Sequence, residues 1–427
     1  MIRRLIARSG ATRRAYREAP AGPLAATARV VLDCERPRGA VGPARSVAAA
    51  ATSPRTPQSS RSLGVEEEFH LVDLATRRLA PRAGDVLARI DEPQYVAEMQ
   101  QFVVEINSDV TADLKALRGE LTRRRAVLIA AARDLGLGVV AAGAVPLSPV
   151  TEMELTPTPR FRRMLSDYQL LAREQLICGT QVHVGVPDRD EAVAVADRIS
   201  GHLPTLLALS ASSPFWADGT DTGYASVRTL VWSRWPTTGL SSGARDAASF
   251  DAMVGDLIAS GVITDPGMLY FDIRPSHRVP TLELRICDSC PSIDTIILIA
   301  GLFRALVDLG IAEHRAGAPS PSLLHALGRA ASWRAARSGL EGELVDLDRR
   351  TARPAAEVVW ALVSRLEPQL RANGDWATMT ALTEAVLLAG SSASRQRRAF
   401  RRRGRLSDVV DQLIAETANG QQTAGLL

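Results

Sequence analysis

The stretch Ser62-Leu63-Gly64-Val65-Glu66-Glu67-Glu68-Phe69-His70 restricts the fold more than any other part of the chain. Read as a strand, it sends Leu63, Val65, Phe69 and Leu71 to one side and Glu66, Glu68 and His70 to the other. Glu67 interrupts the apolar side and is expected at a strand edge. Carboxylates at i and i+2 lie about 6.6 Å apart along a strand. At an effective dielectric of about 20 they repel by roughly 2.5 kcal/mol. A fold that aligns Glu66 and Glu68 must therefore place them in bulk water or beside cations. A solvated strand face is the commoner meaning of one such stretch, and only the rest of the chain can overrule it.

Four further stretches repeat the design. In Phe102 to Asn107 the residues Phe102, Val104 and Ile106 oppose Val103, Glu105 and Asn107. In Thr180 to Val186 three valines oppose Gln181, His183 and Gly185. Tyr270 to Arg274 puts Tyr270, Asp272 and Arg274 together, and Thr281 to Asp288 sets Glu283, Arg285 and Cys287 against Leu282, Leu284 and Ile286. Side by side in a mostly antiparallel sheet, the five strands collect Glu66, Glu68, Glu105, His183, Asp272, Arg274, Glu283 and Arg285 on one surface. Helices would cover the other face, giving an α+β fold. Carboxylates with a single histidine suit Mg²⁺ or Mn²⁺ rather than thiolate-bound zinc. Carboxylates, histidine and arginine on one face make a metal–phosphate platform.

Composition closes other routes. Lys115 is the only lysine among 51 basic residues, so no P-loop is present and Schiff-base chemistry has no candidate. Residues 1–60 hold eleven arginines against three acids, a net of +8, which leaves −4 on residues 61–427. The basic character thus belongs to the first 60 residues and gives no reason to expect nucleic-acid binding by the body. Cys34, Cys178, Cys287 and Cys290 form neither a disulfide framework nor a complete zinc site, and a reducing cytoplasm fits. The most apolar run, Ile293 to Val307, is interrupted by Asp294 and Arg304 and reads as a buried helix rather than a membrane span.

The expected organisation is a disordered Arg/Ala/Pro-rich extension over 1–60, one catalytic domain over 61–420 and a flexible tail over 421–427. The extension also has the composition of a transit peptide, or of a start codon read too far upstream. Helices are expected over Thr111–Leu135, Arg160–Leu176, Asp188–Leu209 (kinked near Pro204) and most of the chain from Ile293 to Glu416. A turn is expected at Asp73–Arg78, a strand at Val139–Ala144 and a loop at Pro146–Pro159. Ser212 to Gly243 is too long and too aromatic for a linker and reads as a substrate loop.

From about Leu63 to Thr417 the chain resembles glutamate–cysteine ligase type 2, a family of carboxylate–amine ligases in the glutamine-synthetase-like superfamily. The resemblance rests on Gly-Val-Glu-Glu-Glu-Phe (64–69), Val-Glu-Ile-Asn (104–107) and Gln-Val-His-Val-Gly (181–185). It continues through Asp-Thr-Gly-Tyr-Ala-Ser-Val-Arg-Thr-Leu (221–230), Asp-Ile-Arg-Pro (272–275), Glu-Leu-Arg-Ile-Cys-Asp (283–288) and Trp-Arg-Ala-Ala-Arg-Ser-Gly-Leu (333–340). It implies Glu66, Glu68, Glu105, His183 and Glu283 as magnesium ligands at the phosphates of ATP, with Glu98 as a further acidic position. It implies Arg285 and Arg274 at phosphate or substrate carboxylate, and Arg228 as a holder of the amino-acid substrate. Ser338 stands where many relatives carry an aromatic residue or histidine.

The reaction so implied is ATP-dependent amide formation. The γ-phosphoryl group passes to a carboxylate, glutamate's in the named activity, and the amine of cysteine attacks the acyl phosphate. Small molecules are the expected partners, without nucleic acid or membrane, and a homodimer is admitted. Two other readings suit the same residues: a metal-dependent amidohydrolase that uses no ATP, and an ATP-binding protein without turnover.

Overall fold

β1 (Leu63–Asp73) is the central strand of a seven-stranded antiparallel sheet in the computed structural model, which describes residues 60–148, 154–320 and 325–419. On one edge β1 pairs β3 (Val103–Asn107), which in turn pairs the short β2 (Tyr95–Ala97). Its other edge is divided: the second half pairs β4 (Leu137–Val140), and the first half pairs β5 (Thr180–Gly185). A hairpin of β6 (Ile273–Pro275) and β7 (Thr281–Leu284) completes the sheet, with β7 against β5. The five strands expected to share a design are thus neighbours. The expected extension (except its last residue), the tail and the middle of the 146–159 loop lie outside the described residues.

The apolar face is covered by helices. Val65, Val182, Val184, Leu282 and Leu284 pack with the Leu114–Arg133, Leu203–Ser210 and Ile293–Arg315 helices in one buried cluster. Each leucine or isoleucine fully buried there contributes about 2 kcal/mol. The Ile293–Arg315 helix is long and apolar enough to span a bilayer, yet 78% of its most apolar window is inside the protein. Its two charged interruptions are paired, Asp294 with Arg118 and Arg304 with Asp375. It is the core helix the sequence suggests.

Five local expectations need correction, one of them the strand expected at Val139–Ala144, which runs over Leu137–Val140. Glu67 is not at an edge but wholly buried on the apolar face, where Arg125 of the Leu114–Arg133 helix donates to it through Nε at 3.1 Å. Arg125 also donates to the carbonyl oxygens of Cys290 (2.8 Å) and Pro291 (2.6 Å), so one guanidinium joins helix, strand and the segment after β7. The helix expected over 160–176 breaks at Gln169, whose φ of 46° divides Pro159–Tyr168 from Leu170–Arg173. The last two strands are shorter than their alternation suggests: the Asp272 N–H turns to the Gly239 carbonyl (2.7 Å). Beyond Leu284 the pairing continues through single bonds, such as those from the Arg285 N–H to the Asp272 carbonyl (2.8 Å) and from the Thr180 N–H to the Cys287 carbonyl (3.3 Å). The 212–243 segment contains a helix, Val227–Trp232, started by Ser226, whose hydroxyl accepts from the Thr229 N–H. The break near Pro204 does occur: the Arg189–Ile199 and Leu203–Ser210 helices flank a single 3₁₀ turn.

Candidate active site

Register builds the site. Glu68 lies opposite Glu105, and Glu66 lies between Asn107 on β3 and Gln181 on β5. Further along the same face His183 is opposite Glu283, and Glu283 is opposite Arg274. Cross-strand partners point the same way, so these residues share one surface.

Glu66, His183 and Glu283 bring one donor atom each to within 4.8 Å of one another. His183 Nε2 lies 3.1 Å from Glu66 Oε1, and its Nδ1 lies 2.9 Å from the Thr281 hydroxyl. That second contact fixes the ring, as the outer partner of a metal-binding histidine does. Burial would raise the Glu283 carboxyl, but the guanidinium groups of Arg285 and Arg274 outweigh it and hold the group well below the usual carboxylate range. Glu283 is an anion here at any physiological pH.

Glu68, Glu98 and Glu105 form a second carboxylate group with the opposite electrostatics. Burial, with Glu98 close by, pushes Glu68 up to about 7. Burial and the charges of Glu98, Glu66 and Glu68 push Glu105 well above its ordinary range, and burial raises Glu98. Glu68 accepts from the Gly179 N–H (2.6 Å) and from Gln181 Nε2 (3.1 Å), while Glu105 accepts from Asn107 Nδ2 (3.0 Å). No arginine makes a direct ion pair with these three carboxylates among the described residues. Oxygen donors held close together with one imidazole nitrogen fit Mg²⁺ or Mn²⁺.

The arginines divide by what they touch. Arg285 lies just beyond β7; it forms an ion pair with Glu283 and donates to Gln181 Oε1 at 2.7 Å. Gln181 therefore links Arg285 to Glu68, a role that sequence reasoning missed although the residue stands on the same face two positions before His183. Arg274, expected at phosphate or substrate carboxylate, donates to both Glu283 oxygens and to the carbonyls of Pro266, Gly267 and Leu269, and so braces Glu283. Arg228 is buried, donates to the carbonyls of Ile286 (3.1 Å) and Arg285 (3.2 Å), and keeps Nε without an acceptor. Trp232, also missed, stacks near both Arg228 and Arg285, 5.5 and 5.8 Å from its ring centre. The aromatic density of the 212–243 segment was its only signal. Asp272 is buried apart from the carboxylate group, its carboxyl pushed up to about 8 by burial.

Beside the trio is a cavity of about 370 Å³, lined by Thr281, Arg274, His277, Arg278, Phe250 and Val254 among others. Thr281 and Arg274 are the residues that hold His183 and Glu283, so cavity and ligand atoms share a wall.

Comparison with known proteins agrees with this geometry. The family model for glutamate–cysteine ligase family 2 matches residues 62–412. A Mycolicibacterium smegmatis protein named "Putative glutamate–cysteine ligase 2-2" is 62% identical over 362 residues, which are 85% of this chain and 91% of that one. A similarly named Rhodococcus jostii protein is 60% identical over 84% of this chain but only 45% of its own length. Among solved structures, glutamate–cysteine ligase from Francisella tularensis in complex with AMP has the same fold (TM-score 0.62, 11% identity, 86% and 91% of the two chains). So does a bifunctional glutathione synthetase from Pasteurella multocida (TM-score 0.65, 14% identity, 84% and 52%). A polar sheet face of this kind, carried by a sequence matched over most of its length, makes the chain a member of glutamate–cysteine ligase family 2 and an ATP-dependent ligase by class.

Proposed function

We propose that the chain joins the γ-carboxylate of glutamate to the amine of cysteine at the expense of ATP. The reading is carried by one observation: Glu66, His183 and Glu283 converge within 4.8 Å beside three crowded carboxylates. Glu66, His183 and Glu283, with Glu68, Glu98 and Glu105, would hold divalent magnesium. When bound, such ions neutralise phosphate oxygens and carry part of the charge that develops during transfer.

The chain's own residues do the rest. The 370 Å³ cavity is the place for the base and ribose of the nucleotide, since Thr281 and Arg274, which bond to His183 and Glu283, line it. Arg285, held by Glu283 and Gln181, faces the transferring phosphoryl group with a fixed fork of donors. Arg228, with Nε lacking an acceptor, holds a carboxylate of the amino-acid substrate. A carboxylate oxygen of glutamate attacks the γ-phosphorus and ADP leaves. The cysteine nitrogen then attacks the acyl carbon, phosphate departs and the amine loses a proton. A buried arginine beside the ligands favours phosphate chemistry over hydrolysis by metal and water alone. Cys178, Cys287 and Cys290 are free thiols, in keeping with a reducing cytoplasm.

Purified protein with ATP, MgCl₂, glutamate and cysteine should release ADP and γ-glutamylcysteine in equal amounts, with no ADP when either amino acid is left out. Amide hydrolysis without ADP, or bound ATP that never turns over with any carboxylate–amine pair, would overturn the reading.

A further inference from the structure

Arg228 is anchored at both ends by the segment that follows β7. Its guanidinium donates to the carbonyls of Ile286 and Arg285, as described above. At its other end the backbone N–H of Arg228 donates to the Ser213 hydroxyl (3.1 Å), and that hydroxyl donates to Asp288 Oδ2 (2.7 Å). Asp288 Oδ2 also accepts from the Ser212 N–H (3.0 Å), while Oδ1 accepts from the Ser226 hydroxyl (2.7 Å). Ser226 is the residue that starts the Val227–Trp232 helix carrying Arg228. The bond to Asp288 directs its proton away and leaves a lone pair for the Thr229 N–H.

Asp288 is fully buried, and its carboxylate is enclosed by the Ser212, Ser213 and Ser226 donors. Room for its carboxylate is made by Gly143, where an added Cβ would lie 2.6 Å from Oδ2. Nothing in the ligase reading uses this carboxylate, yet each of its three acceptor bonds goes to the loop or helix start that presents Arg228. Leaving any of those donors unsatisfied in such a buried place is costly.

We propose that Asp288 is a positioning residue: it sets the reach of Arg228 toward the substrate carboxylate without touching substrate. The proposal rests on the reading that Arg228 holds that carboxylate. Asp288→Asn keeps the shape but must turn an NH₂ toward one of the donors, and Ser226 is the partner that can rotate to meet it. The Ser226 proton must then turn from the carboxylate to the Thr229 hydroxyl, 2.9 Å away, so a charge-assisted bond at the helix start becomes a weaker neutral one and the helix start loosens.

The test is steady-state kinetics on the full chain with glutamate, cysteine and ATP–Mg²⁺. In Asp288→Asn the KM for glutamate should rise about tenfold or more, while kcat and the KM for ATP stay within about threefold. Ser213→Ala, which removes the hydroxyl joining Asp288 to the Arg228 N–H and leaves the other two bonds of Asp288 in place, should do the same on a smaller scale and covers the case of a poorly folding Asp288 variant. Arg228→Lys separates the two ideas. If it leaves the glutamate KM unchanged, the assignment of Arg228 fails. If it raises that KM but Asp288→Asn and Ser213→Ala do not, only the positioning role fails. With both correct, Asp288→Asn adds almost nothing on top of Arg228→Lys. A purely structural Asp288 would lower melting temperature and active fraction and leave the glutamate KM where it was.

Discussion

Three consecutive glutamates on β1 have opposite fates. Glu67 faces the helices, is fully buried, and has one arginine to itself. Glu66 and Glu68 face the other way, where Glu68 accumulates further carboxylates and no arginine partner of its own. The first arrangement is closed: the charge is matched, its hydrogen bonds are made, and it fastens helix to sheet. The second is open, because carboxylates that repel one another in a buried place are stable only as acids or beside cations. Neighbours in sequence thus separate into a structural charge and a working one according to which side of a strand they leave.

The largest effect should come from the open side. Glu66→Gln combined with Glu68→Gln removes two ligand charges and should lower ATP turnover roughly 1,000-fold or more, about 4 kcal/mol of barrier. Melting temperature should hold or rise, since repulsion is relieved. Wild-type turnover in the double variant would erase the distinction between the faces.

Next is Glu67→Gln, which leaves the buried Arg125 cation facing a neutral amide. Breaking such a pair costs about 3 kcal/mol. Urea unfolding should show that loss, while kcat of the folded fraction stays within about twofold. A stable but inactive variant would place Glu67 with the working carboxylates after all.

Arg285→Lys tests the border between the two kinds of charge, because Arg285 is both ion-paired and on the polar face. Lysine can keep a charge near Glu283 but cannot fork to Gln181 and phosphate together. A fall in kcat of about 100-fold, about 2.7 kcal/mol, is expected. Unchanged kcat with a lower melting temperature would move Arg285 to the structural side.

The smallest effect is a dependence on pH. In metal-free protein Glu68 keeps its proton up to about 7, whereas the unfolded chain releases it near 4.5. The folded state holds more protons across that window, so its stability falls as pH rises through it. Divalent ions supply the missing positive charge. The gain in melting temperature from Mg²⁺ over EDTA should therefore be larger at about pH 7.5 than at about pH 5.5, by a few degrees. Taking the difference cancels His70 and His202, whose burial lowers their pKa values to about 3 and about 4 and adds stability with rising pH. An equal gain at both pH values would mean that Glu68 does not meet the ion.

What could be read from the sequence follows from range. Alternation in β1, β3 and β5 is a local property, so the polar face with Glu66, Glu68, Glu105 and His183 was visible residue by residue. Glu67 was misplaced because its partner, Arg125, lies 58 positions away on a helix, and nothing near Glu67 announces it. Glu98 had no strand face to mark it and entered only through the family's motif. Arg274 shares the right face, but its bonds to the loop carbonyls at 266–269 are a packing detail without a pattern. Gln181 needed two simultaneous contacts, one from a residue 104 positions away, before its importance could be seen.

The divided edge of β1 has a kinetic side. Neighbours grip the strand on both flanks, with β3 against Glu66 to His70 and β5 then β4 along the other edge. Such amides open to solvent only when the whole sheet comes apart. Deuterium should thus enter the backbone at Glu66, Glu67 and Glu68 at the rate of global unfolding, long after the 212–243 segment has exchanged. The carboxylates would then sit on the least yielding strand of the protein, and any motion that admits substrate or releases product must come from the loops around them.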